Sequence, residues 1–569
     1  MSNQLIHNGV IVPPKPAPRG LALTIRGESR ALAPHQEEMA IAWARKIGTE
    51  YVQDSGFCKN FMRDFSAALG VKPALSTDEV DFGPAIEIVQ AERVAREQMT
   101  PEERKALAAG RKAQREQLKE KYGHTTVNGA LVELGNYVVE PSGIFMGRGK
   151  HPLRGKWKDG ALQSDITLNL SPDAPRPVGE WAGIVWQPES LWVAKWEDKL
   201  AGKVKYVWLA DTAPVKQERE AAKFDKAVTL DERLADVRAH IETALADPAP
   251  RRREVATACY LIDALCMRVG DEKDEDEADT VGATTLRPEH VTLHEDGTAE
   301  FRFLGKDSVL WHKKIQPPPV VMANLAELIA SARPGGDGKP QVFPAIDSGD
   351  VNAFLGEALP GLTAKVFRTH HATEAVRNSL TASGVTADDP EYKKVGAAAQ
   401  ANLEAAILCN HFRKAPANWK ERRAKSGGRK DSSQAQVAKL REQAALAKEA
   451  LSALRREAAD AKRKAAAKTS AQRKTIKARH DQRIAQARKR LDTAQARLDR
   501  AETSLGKLKV QDSIAAQSRT WNLGTSLKSY IDPRVYYRWG QQVGFDVLGK
   551  YYPKTLQRKF AWAREPANA

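Results

Sequence analysis

The sequence predicts a multidomain α+β protein, and three observations carry that expectation. The chain has 569 residues, a length that suits three or more domains with sizeable cores. Stretches with apolar residues at helical spacing alternate with short runs in which Trp, Val and Tyr alternate with polar residues. Late in the chain the composition shifts to Ala, Lys, Arg, Gln, Glu and Leu. There is no Pro between Pro416 and Pro533 and no Gly between Gly428 and Gly506. That mixture of strong helix formers is too long for one ordinary globular helix.

Taken in order, the first ~25 residues are Pro-rich and expected to be extended. "APHQEEMAIAWARKIGTEYV" and "NFMRDFSAAL" have helical spacing. So does the charged "QAERVAREQMTPEERKALAAGRKAQREQLKEKYG", where Thr100 is a candidate N-cap and Pro101 the first helical residue. "ALVELGNYVVE", "DITLNL" and "WAGIVWQPESLWVAKWEDKLAGKVKYVWLA" suggest antiparallel strands. Helix resumes near Ala213 and continues through "EVATACYLIDALCMRVG". "TAEFRFLGKDSVLWHKK" reads as a hairpin turning at Gly305, Lys306 and Asp307, and further helix follows to about Arg423. "KSGGRKDSS" is expected to break the chain. From Gln434 to about Leu508 a helical hairpin should turn near "AAAKTSAQRK". Such a rod is either merely solvated or skims a polyanion.

Several classes are excluded or weakened by composition. No run of ~18 apolar residues suggests a membrane span, and the N-terminus has no apolar signal region, so an intracellular protein is expected. Cys58, Cys259, Cys266 and Cys409 form no C-x-x-C pair, which argues against a zinc ribbon and for reduced core thiols. No P-loop is present. "GDEKDEDEAD" lacks the alternating ligands and closing Glu of a calcium loop, so a solvated loop is expected. The net charge of +17 points to a polyanionic partner, since each neutralised phosphate releases counterions.

Chemistry-bearing residues recur at defined places. "CMRVGDEK" puts Arg268 at the end of an apolar helix, and "FLGKDS" puts Lys306 at the hairpin tip. "AKVFRTHHAT" puts Arg368 after an apolar run, and "AILCNHFRKAP" puts His411 beside a helix. "TSLKSYIDPR" places Tyr530 before a Pro-terminated turn. Alone, each has a bland reading as a surface cation, a satisfied buried ring or a packing aromatic.

Together these segments, in this order, resemble the eukaryotic-type (type IB) DNA topoisomerases. The likeness extends through "VGDEKDEDEADTVGATTLRPEHVTLH", "GLTAKVFRTHHA", "LGTSLKSYIDPR" and "YPKTLQRKFAWA", and upstream through "REQMTPEERK" and "VEPSGIFMGRGKHPLRG". It implies a mixed α/β cap (1–213) and a mainly helical catalytic core with a β-hairpin (214–425). An antiparallel coiled-coil linker (426–512) and a small helical C-terminal domain (513–569) complete the expected clamp around duplex DNA. Tyr530 would be the nucleophile, forming a 3′-phosphotyrosyl link, with Arg268, Arg368 and His411 contacting phosphate oxygens and Lys306 protonating the leaving 5′-oxygen. Arg148, Lys150, Asp307, Thr525 and Ser529 would contact DNA. The resemblance implies no cofactor and no metal. It also implies double-stranded supercoiled DNA as the partner, no membrane, and a monomer.

Two departures stand out. The family's usual Ser-Lys-x-Asn-Tyr is here Ser526-Leu527-Lys528-Ser529-Tyr530, and Met146 replaces a common Arg before "GRG". They bear on contacts at the nick and on the pocket for intercalating poisons, not on the five central groups. The competing readings are a tyrosine recombinase or integrase, which uses a similar residue set, and a non-catalytic DNA-binding or coiled-coil protein. Ala- and Arg-rich usage and the short stretch before the resemblance begins suggest a bacterial or viral source, with a nuclear location expected if the source is eukaryotic.

Overall fold

In the computed structural model the described residues are 4–270, 279–335, 338–466 and 469–564. They form two compact units, Met1–Lys365 and Val366–Ala569. Most of the acidic "GDEKDEDEAD" run, residues 271–278, lies outside the described residues.

The first unit holds two separate apolar cores near its start. One is built by α1 (Pro34–Ala44), α2 (Ser55–Leu69) and α3 (Gly83–Gln98). Its centre is aromatic: Trp43 stacks on Phe61 at 4.5 Å, flanked by Phe57, Phe65 and Phe82. The helix expected through Val52 stops at Ala44, and α2 restarts where Asp54 caps the amides of Gly56 and Phe57. Next, α4 (Pro101–Tyr122) buries no residue, yet its start follows the sequence signal: Thr100 accepts from Glu103 N, while Glu103 Oε2 accepts from Thr100 N at 2.8 Å.

The second core lies on a four-stranded sheet, in spatial order Gly183–Val185, Thr167–Asn169, Trp192–Glu197 and Val204–Trp208. The antiparallel expectation fails for one pair, because Gly183–Val185 runs parallel to Thr167–Asn169. The connection over residues 170–182 is long enough to cross back to the same sheet end, which a tight hairpin is not. Farther on, α5 (Pro214–Leu245) and α6 (Pro250–Leu265) each begin with Pro at the first position. The apolar α6 packs among α5, α7 (Pro319–Ala330) and α8 (Ser348–Ala358). The antiparallel sheet Val291–Leu293, Ala299–Gly305 and Val309–Ile315 completes this part.

The second unit begins in the first turn of α9 (Ala364–Ala382) and continues through α10 (Glu391–Leu408). Two long helices follow, α11 (Trp419–Lys464) and α12 (Ser470–Gln517). They pack on each other through Val437, Ala444, Leu498 and Leu505, whose seven-residue spacing keeps one seam facing the partner. Ion pairs Arg441–Glu502 and Arg483–Glu457 fix the two as antiparallel. The turn falls where "AAAKTSAQRK" predicts it. The short helices α13 (Leu523–Ser529), α14 (Pro533–Gln542), α15 (Val547–Lys550) and α16 (Lys554–Lys559) close the unit.

The break expected at "KSGGRKDSS" does not occur: α11 runs through it, Gly427 and Gly428 included. Each Gly costs about 1 kcal/mol relative to Ala in a helix. Asp512, 9% exposed, offsets this by accepting from Ser426 Oγ at 2.9 Å, Lys430 Nζ at 2.9 Å and Arg423 Nη1 at 3.1 Å. A single hydrogen bond to a charged group contributes about 1.5–3 kcal/mol, comparable with the cost of both glycines.

The Asp512 carboxyl is held below its usual pKa by the hydrogen bond from Lys430, with Ser426 and Arg423 adding to it. A lowered folded-state pKa means stability that is complete above the unfolded carboxyl value and lost as pH falls through the folded one. Asp512→Ala should therefore lower the unfolding midpoint at pH 7, with a loss of about 1–3 kcal/mol. The gap to wild type should narrow below about pH 4. A gap independent of pH, followed by circular dichroism, would count against this clasp.

Candidate active site

Arg268 and Lys306 belong to the first unit and are tied to one another through the backbone. Past the end of α6, Cys266 adopts φ 54° and turns the chain, so that Arg268 follows on an extended strip, half-buried. Arg268 O accepts from Ala283 N at 2.9 Å, and Val269 O from Thr284 N at 2.7 Å. The partner strip in turn reaches the hairpin, where Val281 N donates to Leu304 O at 2.8 Å. The two strips approach so closely that a Cβ on Gly282 would sit 2.4 Å from Gly270 Cα; only glycine fits.

The same connection is anchored at Asp279. Arg287 donates to it from Nη1 and Nη2, at 3.0 and 2.5 Å, and Lys339 adds a bond of 2.9 Å. The Arg287 bond first, then Lys339, pulls the Asp279 carboxyl down to about 2. Asp279 ends the acidic run read from the sequence as a solvated loop, and its pairing with Arg287 and Lys339 carried no signal there.

Lys306 is exposed at the tip joining strands Ala299–Gly305 and Val309–Ile315, as the hairpin reading predicts. Of Asp307, only the backbone turn lies within the described structure. The "GRGK" loop lies against this tip: a Cβ on Gly149 would come within 2.2 Å of Ser308 Oγ, and Arg154 Nη1 fixes Gly149 O at 2.7 Å. Arg148 and Lys150, both exposed, are therefore held beside the Lys306 turn.

Arg368, His411 and Tyr530 come together within the second unit. Arg368, on α9, is 2% exposed, and its Nη2 donates to Cys409 O at 2.9 Å. Its guanidinium carbon lies 5.0 Å from the centroid of the Tyr530 ring. The His411 ring lies 5.1 Å from the same ring. His411 is placed by the end of α10. Asn410 takes φ 53°, Asn410 N donates to Ile407 O at 3.0 Å, and His411 N donates to Ala406 O at 2.8 Å, a Schellman closure with Asn in the left-handed position. His411 O then accepts from Asn522 N at 2.7 Å, and Arg413 N donates to Thr520 O at 2.8 Å, seating the residues just before α13.

Tyr530 is the residue that ends α13 and is 5% exposed; it closes a helix and does not sit in an isolated turn. Pro533 starts α14 instead of terminating a turn. Two side chains hold this point that the sequence did not single out for a role. Ser526 Oγ lies 2.7 Å from His411 Nδ1, a bond whose direction follows the ring tautomer. Thr373 Oγ1 donates to Tyr530 O at 3.3 Å and accepts from Asp532 N at 3.1 Å. Asp532 in turn holds Arg534 through both carboxylate oxygens, at 2.7–3.0 Å. Thr373 lies inside "RTHHAT" and Ser526 inside "TSLKSY", but a hydroxyl's partner is not readable from spacing. Thr525 and Ser529, one helical turn apart on α13, are both half-buried, and Asn522 Oδ1 caps the Thr525 amide at 3.3 Å.

With this geometry in place, comparisons with known proteins agree along the whole chain. Residues 2–209 match the model of the eukaryotic DNA topoisomerase I DNA-binding fragment, residues 212–444 its catalytic core, and residues 502–569 a C-terminal topoisomerase domain. The chain is 33% identical to DNA topoisomerase 1 of Daucus carota and 30% identical to that of Homo sapiens. Each alignment covers 99% of this chain and 71% of the relative. It is 32% identical to DNA topoisomerase 1 beta of Arabidopsis thaliana over 99% of this chain, spanning 58% of that protein's length.

The class is thus that of the DNA topoisomerases. Within it, the chain belongs to the eukaryotic-type (type IB) topoisomerase I family. These matches give no support to the recombinase reading.

Thr373→Val keeps the shape of the side chain and removes the one hydroxyl bridging Tyr530 and Asp532. Stranding the buried Asp532 amide should cost about 1–3 kcal/mol. Urea unfolding checks this, and an unchanged midpoint would show that the bridge contributes nothing.

Proposed function

We propose that the protein is a type IB DNA topoisomerase that relaxes positive and negative supercoils without ATP or metal. It would do so by transient cleavage of one strand, rotation and religation. The observation that carries the reading is the buried Tyr530 with the Arg368 guanidinium on one contact and the His411 ring on another, at 5.0 and 5.1 Å. All three lie in segments by which the chain resembles its family.

The chemistry follows from those groups. Tyr530 Oη attacks a backbone phosphorus and the bond to the 5′-oxygen breaks, leaving a 3′-phosphotyrosyl ester that stores the bond for religation. Phosphoryl transfer needs charge stabilisation on the non-bridging oxygens more than covalent help. Arg268 and Arg368 supply it with planar forks suited to phosphate, and His411 adds a hydrogen bond. Fixing Nδ1 against Ser526 leaves Nε2 as the nitrogen directed to substrate. Lys306, exposed on a stiff hairpin, is the general acid for the departing 5′-oxygen. Arg148 and Lys150 beside it, with Asp307, Thr525 and Ser529, are the proposed DNA contacts.

The α11–α12 hairpin is the proposed linker, with a net basic surface that favours a location near duplex DNA. Closure around the duplex and a monomeric state belong to the same proposal. No helix among the described residues is long and apolar enough to cross a membrane. The bacterial or viral source suggested by residue usage gains no support from the plant and animal relatives.

Relaxation of supercoiled plasmid should proceed with EDTA present and ATP absent; strict dependence on either ATP or Mg²⁺ would sink the proposal. Tyr530→Phe should abolish the covalent protein–DNA adduct while leaving non-covalent DNA binding within about twofold, since a single hydroxyl is removed. An adduct surviving denaturation of that variant would move the nucleophile elsewhere. Lys306→Ala should slow cleavage by roughly 10²–10⁴-fold on ordinary DNA. A 5′-bridging sulfur, whose thiolate leaves without a proton, should restore most of the rate. Failure of that rescue removes Lys306 from the acid role.

A further inference from the structure

The helix that carries Arg368 also carries a group that the proposed reaction does not use. Among the described residues, His370, His371 and Glu374 form a group of three metal-ligating side chains whose ligand atoms all lie within 4.8 Å of one another. His370 Nε2 is 3.6 Å from Glu374 Oε2, and His371 Nδ1 is 3.9 Å from the same oxygen. Helical geometry accounts for the convergence. At roughly 100° per residue, Glu374 falls one turn on, roughly 40° to one side of His370 and roughly 60° to the other side of His371. One carboxylate oxygen therefore faces both imidazoles.

We propose that His370, His371 and Glu374 bind a single divalent transition-metal ion of the zinc type, with water in the remaining position. Two imidazoles and one carboxylate are a mixed N/O donor set, which suits zinc and its neighbours and not calcium or magnesium. Metal–ligand bonds of about 2.0–2.2 Å in a tetrahedron separate ligand atoms by about 3.3–3.5 Å. The two His–Glu separations, 3.6 and 3.9 Å, approach that, and all three ligand atoms lie within 4.8 Å of one another, so side-chain rotation that draws the two imidazoles together closes the site. Exposure is graded in the sense an entry path requires: the side chains of His370, His371 and Glu374 are 2%, 13% and 45% exposed. The ion enters from the Glu374 side and rests on a nearly dry floor of imidazole.

The site would act on structure, not on the phosphate. Thr373, which bridges Tyr530 O and Asp532 N, lies in the turn that the ion would cross-link. An ion joining residues 370, 371 and 374 would cross-link this interior turn of α9 and thereby steady the seat of Tyr530. This inference stands on α9 alone and does not depend on the proposed reaction.

The full chain, stripped with EDTA and dialysed against zinc sulfate, should retain one equivalent of zinc. Its unfolding midpoint should rise on zinc addition. Cobalt(II) in place of zinc should give the visible absorption of a low-symmetry N/O site. Glu374→Gln and His371→Gln should each weaken zinc binding at least tenfold by calorimetry and abolish the shift in midpoint. Both variants, folded and assayed in EDTA, should relax plasmid like the wild type, so that the ion site and the proposed reaction fail separately. Unchanged zinc affinity in both variants, or no stoichiometric zinc on the wild type, would overturn the site.

Discussion

The second unit depends on one backbone pairing, that of His411–Arg413 with Thr520–Asn522. It closes an excursion of roughly a hundred residues, whose closure as a flexible loop would cost several kcal/mol of chain entropy. The excursion is instead two helices of 46 and 48 residues. At 1.5 Å per residue these are about 69 and 72 Å long, so an antiparallel pair returns the chain almost to where it left. The near-equality of the two lengths makes the pairing geometrically possible. The Asp512 clasp then fixes the hairpin's base within a few turns of it.

From that pairing the positions of three side chains follow. The left-handed Asn410 sets where His411 leaves α10, and the pairing sets where α13 begins. Eight residues later α13 ends at Tyr530, with Ser526 one turn earlier to meet the imidazole. Arg368 reaches the same place from α9 and is tethered to Cys409 O, one residue before the Schellman turn. Tyr530, the imidazole and the guanidinium are thus referred to one helix end. A cation and a ring buried together in this way are costly to assemble unless each polar atom finds a partner. The Cys409 carbonyl and the Ser526 hydroxyl are part of that satisfaction.

How much of this was legible depends on whether the controlling interaction was local. The Thr100 capping box, the Lys306 hairpin and the turn between α11 and α12 are local, and spacing alone places them. The continuity of α11 across Gly427 and Gly428 was not legible, because the interaction that overrides the two glycines comes from Asp512, more than eighty residues away. The parallel strand pair was missed for a similar reason: alternation gives a strand but not its direction. At the site, the family's order of segments named Arg368, His411 and Tyr530. The hydroxyls of Thr373 and Ser526 and the Asp279–Arg287 pair are ordinary polar residues until their partners are known.

The two units hold their proposed site residues by different means, and this has a consequence for how substitutions spread. In the first unit, Arg268 and the Lys306 hairpin are joined through main-chain bonds from Arg268 O through Ala283, and from Val281 to Leu304. Main-chain bonds survive most side-chain changes, and the sensitive positions are those where a Cβ cannot be accommodated, Gly149 and Gly282. In the second unit, the seat of Tyr530 is made by the side chains of Thr373, Ser526 and Asp532. Thr373 and Ser526 each serve a buried partner, and Asp532 holds the partly buried Arg534. Conservative polar changes there reach Tyr530, the proposed nucleophile, directly. Comparable changes around Lys306, whose side chain is already in solvent, do not.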